Sequence, residues 1–187
     1  MNWPRHEVDD QEWSSHADAL RDPSKLPRLL ATLDSTSCPE PEFQRALEYV
    51  ESAVSDLGVP TSLVPRVTCR LIRSVLMLTG SRRTEVLSLA EELTCGRGSE
   101  GYTPNQVRWL AEARHELALG FHLWAHLAET SEPPEATICV DLLAYVAEAV
   151  PELRQRVTKV FRLLHQARPE LVAEIDTVST YFPKQSK

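Results

Sequence analysis

The chain of 187 residues repeats one pattern about every 40 residues. Each unit has a polar or proline start, an apolar stripe with helical spacing, and a glycine or proline stop. The alternation typical of strands is almost absent. Each predicted helix has one apolar side, so a lone helix pair cannot bury its core, whereas stacked neighbouring pairs can. The pattern therefore predicts an all-α protein, an α-solenoid of about four antiparallel helix pairs. An orthogonal helical bundle is the alternative, because it has the same local pattern.

Helix boundaries are indicated by capping residues and glycines. Thr103 and Gln106 form a capping box around a proline, which predicts that a helix begins there. Its apolar stripe continues to Glu129, which makes it the longest predicted helix. Gly96 is expected to end the preceding helix, and Ser81 is expected to cap its start. These signals predict the helix pairs 23–57, 62–95, 104–149 and 151–182.

The ends of the chain are more polar than its middle. Residues 1–21 are predicted to be an N-terminal arm or a short docking helix, and residues 183–187 a polar tail. Residues 22–182 are predicted to form a single domain of helical repeats.

The net charge of −7 is unevenly distributed. Residues 1–60 hold 12 acidic and 5 basic side chains, whereas residues 61–110 have a net charge of +3. An acidic balance opposes nucleic-acid binding, which needs a basic face. It favours a cationic partner, although an acidic surface also serves solubility.

The cysteines and the apolar residues indicate a cellular setting. The four cysteines are scattered without a CxxC pair, which argues against a zinc ribbon or a thioredoxin-type site. No apolar run approaches the roughly 20 residues that span a bilayer. We therefore expect reduced thiols, a cytoplasmic location, no membrane contact and no cofactor.

Four segments carry a resemblance to a known family. They are LPRLLATLDS, ALEYVESAVSDLGVPTSLVPRV, TEVLSLAEELTCG and HELALGFHLWAHLAETSEPPEATICVDLLAYV. Together they resemble small bacterial HEAT-like repeat proteins found in toxin–immunity loci. The resemblance implies a HEAT-like solenoid that acts as a non-enzymatic protein-binding module. It implies, further, an immunity protein that binds and neutralises a cognate bacterial toxin. A general HEAT-like scaffold is the alternative within the same class.

A different class of function is suggested by the predicted helix that begins at residue 104. On a helical wheel, His115, His122 and His126 share one stripe opposite the apolar face, and Glu112 precedes them. Histidines four residues apart can share a metal ion, which would suit a metal-dependent helical enzyme. A solvated histidine stripe explains the same pattern and is the interpretation we favour. No other catalytic motif stands out.

Charged stripes indicate where a partner would bind. Arg66, Arg70 and Arg73 share one helix face, and we predict that they pair with Glu48 or Glu51 rather than clamp an acidic partner. In a solenoid the second helix of each pair lines the concave side, where partners bind. The predicted binding surface is one acidic groove for a basic toxin domain, formed by Glu48, Glu51, Glu91, Glu92 and Asp141.

Overall fold

The protein is all-α, as predicted, apart from one hairpin of two-residue strands. The computed structural model describes residues 13, 16, 18–56, 59–96 and 101–180. Short 3-10 turns precede α1, α6 and α9. The elements are α1 (Leu26–Leu33), α2 (Glu40–Val54), β1 (Ser55–Asp56), β2 (Val59–Pro60), α3 (Val64–Met77), α4 (Ser81–Cys95), α5 (Pro104–Leu117), α6 (Phe121–Thr130), α7 (Pro133–Ala149), α8 (Pro151–Ala167) and α9 (Val172–Ser179).

The capping residues explain where several helices begin and end. The Thr103 hydroxyl accepts a hydrogen bond from the Gln106 N–H, and the Gln106 side chain accepts one from the Thr103 N–H at 2.7 Å. Gly96 ends α4 in the left-handed conformation, with φ of +67°. The expectation that Ser81 caps α4 is wrong, because Ser81 is already the first helical residue. Gly80 takes the capping position instead, with φ of +63°, a conformation that favours glycine.

The helix predicted over 104–129 is interrupted, so its prediction as one continuous helix is wrong. α5 ends at Leu117, a 3-10 turn covers Ala118–Gly120, and α6 follows. The Trp124 indole N–H donates to the Leu117 carbonyl at 2.9 Å and so satisfies an acceptor that the break leaves without its usual partner. A Cβ on the glycine of this turn would lie 2.5 Å from the Trp124 ring, so that ring packs directly against backbone.

Helix packing follows the order of the chain. α1 packs on α2, and α3 contacts α4 and α5. α6 packs on α7, which also contacts α4, α5, α8 and α9. The break before α6 matters here, because it lets α5 face α3 while α6 faces α7. The buried side chains form one apolar core that extends from Trp13 to Val178. Its largest completely buried members include Trp124 and Phe43.

The C-terminal end of α6 is fixed by an arginine from the far end of α8. The Arg168 guanidinium donates to the carbonyls of Ala128, Glu129 and Ser131, at 3.2, 2.6 and 2.7 Å respectively. The last carbonyls of a helix have no partner within the helix, so a cation that satisfies three of them closes the helix end. The Arg168 Nε also forms an ion pair with Glu170. Arg168 thus ties α6 to the connection that follows α8.

One buried hydroxyl in α3 gives a test of the packing. Thr68 is fully buried, and its Oγ1 has no hydrogen-bond partner among the residues that the structure describes. We expect Thr68→Val to raise the free energy of unfolding by about 1 kcal/mol, because it replaces an unsatisfied polar atom with a methyl of similar shape. Urea unfolding followed by circular dichroism measures the change. Thr94 is the matched control, because its buried hydroxyl donates to the Ala90 carbonyl at 2.7 Å. Thr94→Val should leave the free energy of unfolding unchanged or lower it. If Thr68→Val lowers that free energy as much as Thr94→Val does, the prediction is contradicted.

Candidate functional site

Three of the five predicted binding residues interact across α2 and α4. Glu48 and Glu51 lie three residues apart on α2, Glu92 lies on α4, and all three are exposed. Partial desolvation raises the pKa of Glu51, and the negative charges of Glu92 and Glu48 raise it further. Like charges affect each other's ionisation only over short distances, so these carboxylates form one cluster.

The other two predicted residues, Glu91 and Asp141, flank Tyr145. The Tyr145 hydroxyl, on α7, donates to Glu91 Oε1 on α4 at 3.2 Å. Burial raises the pKa of Tyr145, and the charges of Glu91 and Asp141 add to that rise. This pair therefore places two more carboxylates on α4 and α7, on either side of one tyrosine. We call the five residues the acidic surface: Glu48, Glu51, Glu91, Glu92 and Asp141.

An arginine that the sequence analysis missed borders the acidic surface. Arg114, on α5, donates to the carbonyls of Thr94 and Cys95 at 2.7 and 2.9 Å and so closes the end of α4. It pairs with Glu148 at 2.7 Å and lies 4.9 Å above the Tyr145 ring. Only 14% of its side chain is exposed. Arg114 therefore positions Tyr145, and it supplies the positive charge at this edge of the surface.

Polar contacts also fix α2 against α4, which sets the distance between the two acidic helices. The Gln44 amide on α2 donates to Glu85 on α4 at 2.5 Å. Arg82, at the start of α4, pairs with Glu40 at 2.8 Å and lies 4.9 Å above the Phe43 ring. Both contacts involve the N-terminal halves of the two helices, so the acidic surface lies toward their C-terminal halves.

The histidine stripe is exposed and divided by the helix break. His115 lies on α5, whereas His122 and His126 lie on α6, and all three side chains are exposed. Glu112 forms an exposed ion pair with Arg108 at 3.7 Å. In the described part of the chain, no three His, Cys, Asp or Glu side chains come together as metal ligands would.

The arginine stripe on α3 pairs with a different acid from the one we predicted. Arg70 and Arg73 lie 3.1 and 3.5 Å from the same oxygen of Asp34, the residue that follows α1. The Ser74 hydroxyl donates to the other Asp34 oxygen at 2.7 Å. For Arg70 and Arg73, the prediction that they pair with glutamates of α2 is therefore wrong. Because a carboxylate at a helix C-terminus is unfavourable by itself, the two guanidinium groups stabilise Asp34 there.

A groove of about 500 Å³ lies beside the start of α7 and contains the most buried of the ion pairs between described residues. Glu135 accepts three hydrogen bonds from Arg83, at 3.1, 3.1 and 2.7 Å, and one from the Thr84 hydroxyl at 3.2 Å. Only 8% of the Glu135 side chain is exposed, against 23% of Arg83. The wall of the groove also includes His126 and Leu76. The ion pair joins α4 to α7, so we assign it to the fold rather than to a binding site.

Comparisons with known proteins leave the functional class open. No protein-family model, curated protein or solved structure matches this chain. The resemblance to HEAT-like proteins of toxin–immunity loci therefore stays a prediction. Within the described ranges, no helix is both long enough and apolar enough to cross a membrane. The fold and the candidate site define an all-α protein with a carboxylate-rich surface across three helices.

Proposed function

We propose that this protein is a non-enzymatic, HEAT-like binding module of the cytoplasm that neutralises a basic bacterial toxin domain. The observation that carries the proposal is the acidic surface. Its carboxylates come from α2, α4 and α7. Burial raises the pKa of Glu51, the nearby charges of Glu92 and Glu48 raise it further, and the Tyr145 hydroxyl joins Glu91 to α7. Such a row of carboxylates matches a basic protein surface.

The order of helix contacts supports a solenoid rather than an orthogonal bundle. The first helices of successive pairs contact one another, α1 with α3 and α3 with α5. The second helices do the same, α4 with α7 and α7 with α9, and side chains join α2 to α4. Nearest-neighbour stacking of this kind is the pattern that defines helical-repeat proteins. In that arrangement the second helices would share one side, and the acidic surface would lie on it.

Mutual repulsion within the acidic surface supports a cationic partner. Burial raises the pKa of Glu51, and repulsion by the charges of Glu92 and Glu48 raises it further, so its negative charge is disfavoured in the free protein. A lysine or arginine placed between these carboxylates would relieve that repulsion. It would also steer the encounter of the two proteins, with an effect on the association rate that weakens as salt rises.

Charge reversal tests the proposal directly. The four-fold variant Glu48→Lys, Glu51→Lys, Glu91→Lys, Glu92→Lys should bind the cognate toxin domain, which is sought among the products of neighbouring genes, about 100-fold more weakly, as expected when close charge pairs become repulsive. Calorimetric titration at 50 and 300 mM NaCl measures the affinity and its salt dependence. The unchanged protein should restore growth of cells that express the toxin, and the variant should not. If the protein is instead a general scaffold, the unchanged protein would bind the domain without restoring growth.

A matched variant controls for the change in net charge. Four exposed acids outside the acidic surface can be reversed together: Glu112→Lys, Glu129→Lys, Glu152→Lys and Asp176→Lys. Circular dichroism should show both variants folded. The control variant should bind within about threefold of the parent, because charges outside the contact act only through screened long-range fields. Equal weakening in both variants, or none in either, would rule out the acidic surface as the binding site.

A further inference from the structure

A second surface, opposite in charge to the acidic surface, lies between α1 and α2. It is a groove of about 540 Å³. Three exposed cations and one exposed acid line it, with apolar area from Leu29 and Tyr49: Lys25, Arg28, Arg45 and Glu42. We call it the basic groove. A cationic rim around a partly apolar floor is suited to a ligand with both carboxylates and an apolar side chain.

The rim cations form no ion pair with a described residue, although the Asp22 carboxylate is near enough to Lys25 to attract it. In the described residues, no carboxylate lies within ion-pair distance of Lys25, Arg28 or Arg45. By contrast, six of the arginines on α3 to α5, among them Arg70 and Arg114, have carboxylate partners. The Arg45 Nε donates to the Pro41 carbonyl at 2.9 Å, which holds this side chain along α2 and leaves its other guanidinium N–H groups for a ligand.

The floor of the basic groove is ordered before any ligand binds. The Tyr49 hydroxyl donates to the Asp22 carbonyl at 3.2 Å, which fixes the ring against the turn before α1. The Arg21 guanidinium and the Lys25 ammonium lie 5.8 and 5.9 Å from the ring centroid. Cation–π contacts of this length hold the two positive charges near the ring. A pre-ordered site loses less side-chain entropy when it binds.

The basic groove and the acidic surface lie on different sides of α2. Gln44, one turn before Glu48, faces α4 through its bond to Glu85. Tyr49 faces the opposite way, toward the turn before α1. Residues four apart on a helix share a side, so Arg45 lies with Tyr49, and Glu48 lies with Gln44. One partner could therefore occupy each surface without displacing the other.

We propose that the basic groove binds an acidic segment of a partner protein, in which carboxylates flank one large apolar side chain. The carboxylates would pair with Lys25, Arg28 and Arg45, and the apolar group would lie on Leu29 and Tyr49. α1 has eight residues and is about 12 Å long, which limits the contact to a short segment. The net charge of −7 repels extended polyanions, so a short peptide suits the groove better than nucleic acid or an anionic membrane.

An NMR titration of the full chain, labelled with ¹⁵N, tests this inference. The probe is a synthetic decapeptide with four glutamates around a single leucine, and the comparison peptide has glutamine in place of each glutamate. Shifts should be confined to α1, α2 and the turn before α1 that carries Lys25. The glutamine peptide should bind about tenfold more weakly because it lacks the charge pairing. No shifts at 2 mM probe, shifts centred elsewhere, or equal binding of the two peptides would overturn the proposal.

Charge-reversed variants identify which cations are responsible. Lys25→Glu with Arg28→Glu should weaken probe binding at least tenfold. Lys159→Glu with Arg162→Glu is the matched control, because these exposed residues of α8 have the same spacing of three. If the first variant does not fold, Lys25→Gln with Arg28→Gln replaces it, with a smaller expected loss. Equal losses in the groove and control variants would contradict the assignment.

A membrane is the remaining competitor for the same cations. Vesicles of phosphatidylcholine with 30% phosphatidylglycerol should not co-sediment the protein. Co-sedimentation that Lys25→Glu with Arg28→Glu abolishes, together with no shifts from the peptide, would overturn the proposal in favour of a lipid surface. None of these measurements uses the toxin domain, so the basic groove and the proposed function can fail separately.

Discussion

Replacing Gly120 by alanine is expected to lower the free energy of unfolding by about 3 kcal/mol, the upper part of the range for overpacked sites. A Cβ at this position would lie 2.5, 2.5 and 2.8 Å from three atoms of the Trp124 ring. That ring is completely buried, and its N–H is engaged with the Leu117 carbonyl, so it cannot move aside without loss. Urea unfolding measures the change.

Two further variants separate this clash from the general effect of alanine. Gly101 has open space where its Cβ would be, so Gly101→Ala should change stability by less than about 0.5 kcal/mol. Trp124→Leu removes the ring and is itself destabilising. In the Trp124→Leu background, Gly120→Ala should lower the free energy of unfolding much less than it does in the parent protein, because the atoms that the methyl group would meet are gone. Additive losses in the double variant would contradict the clash.

The apolar stripes and caps could be predicted from the sequence because they are local. Helical spacing within α3 or α8 depends only on residues three and four positions apart. The capping box at Thr103 and the stop at Gly96 are likewise local signals, and the structure confirms both. The break before α6 could not be predicted in this way. A single glycine in a helical pattern costs only about 1 kcal/mol, so Gly120 by itself does not indicate a break. What distinguishes Gly120 is the packing of the Trp124 ring against it, and that contact is visible only in the folded structure.

The partners of the arginines were beyond sequence reasoning for a related reason. A long arginine side chain can reach several carboxylates that are distant in sequence. Which of them it pairs with depends on where the ends of the helices lie in the fold. The order of helices suggested acids of α2 for Arg70 and Arg73, but the end of α1 places Asp34 nearer. Arg114 and Arg168 close the C-terminal ends of helices that precede them in the chain. No spacing rule links such an arginine to a carbonyl 20 or 40 residues away.

The acidic surface could be predicted in part, because it depends on the alternation of helices rather than on individual contacts. Assigning Glu48, Glu92 and Asp141 to second helices needs only the count of helices along the chain. The position of Tyr145 between Glu91 and Asp141 depends on how α4 packs against α7, which no local pattern in the sequence indicates.

Replacing Glu135 by glutamine is expected to lower the free energy of unfolding by about 2–3 kcal/mol. The change removes the charge that Arg83 faces and leaves a partly buried guanidinium without its partner. Breaking a fully buried pair costs more, but Arg83 retains 23% exposure and therefore some hydration. Arg83→Met combined with Glu135→Leu should recover much of the loss, because no unpaired charge remains. Glu112→Gln is the matched control at the exposed pair with Arg108, and it should cost less than about 0.5 kcal/mol.

The dependence on pH gives a second, independent measurement of the same pair. Burial opposes ionisation of Glu135, but the hydrogen bonds and charge of Arg83, with the Ser131 and Thr84 hydroxyls, outweigh it and hold the pKa below its ordinary value of 4.5. The unfolded chain therefore takes up this proton more readily than the folded protein does. The contribution to stability is complete above the ordinary pKa and is lost as pH falls through the folded pKa. The difference in unfolding free energy between the parent and Glu135→Gln should be constant from pH 6 to 8 and should shrink below about pH 4. A difference that stays constant down to pH 3 would show that the charge of Glu135 does not stabilise the junction of α4 and α7.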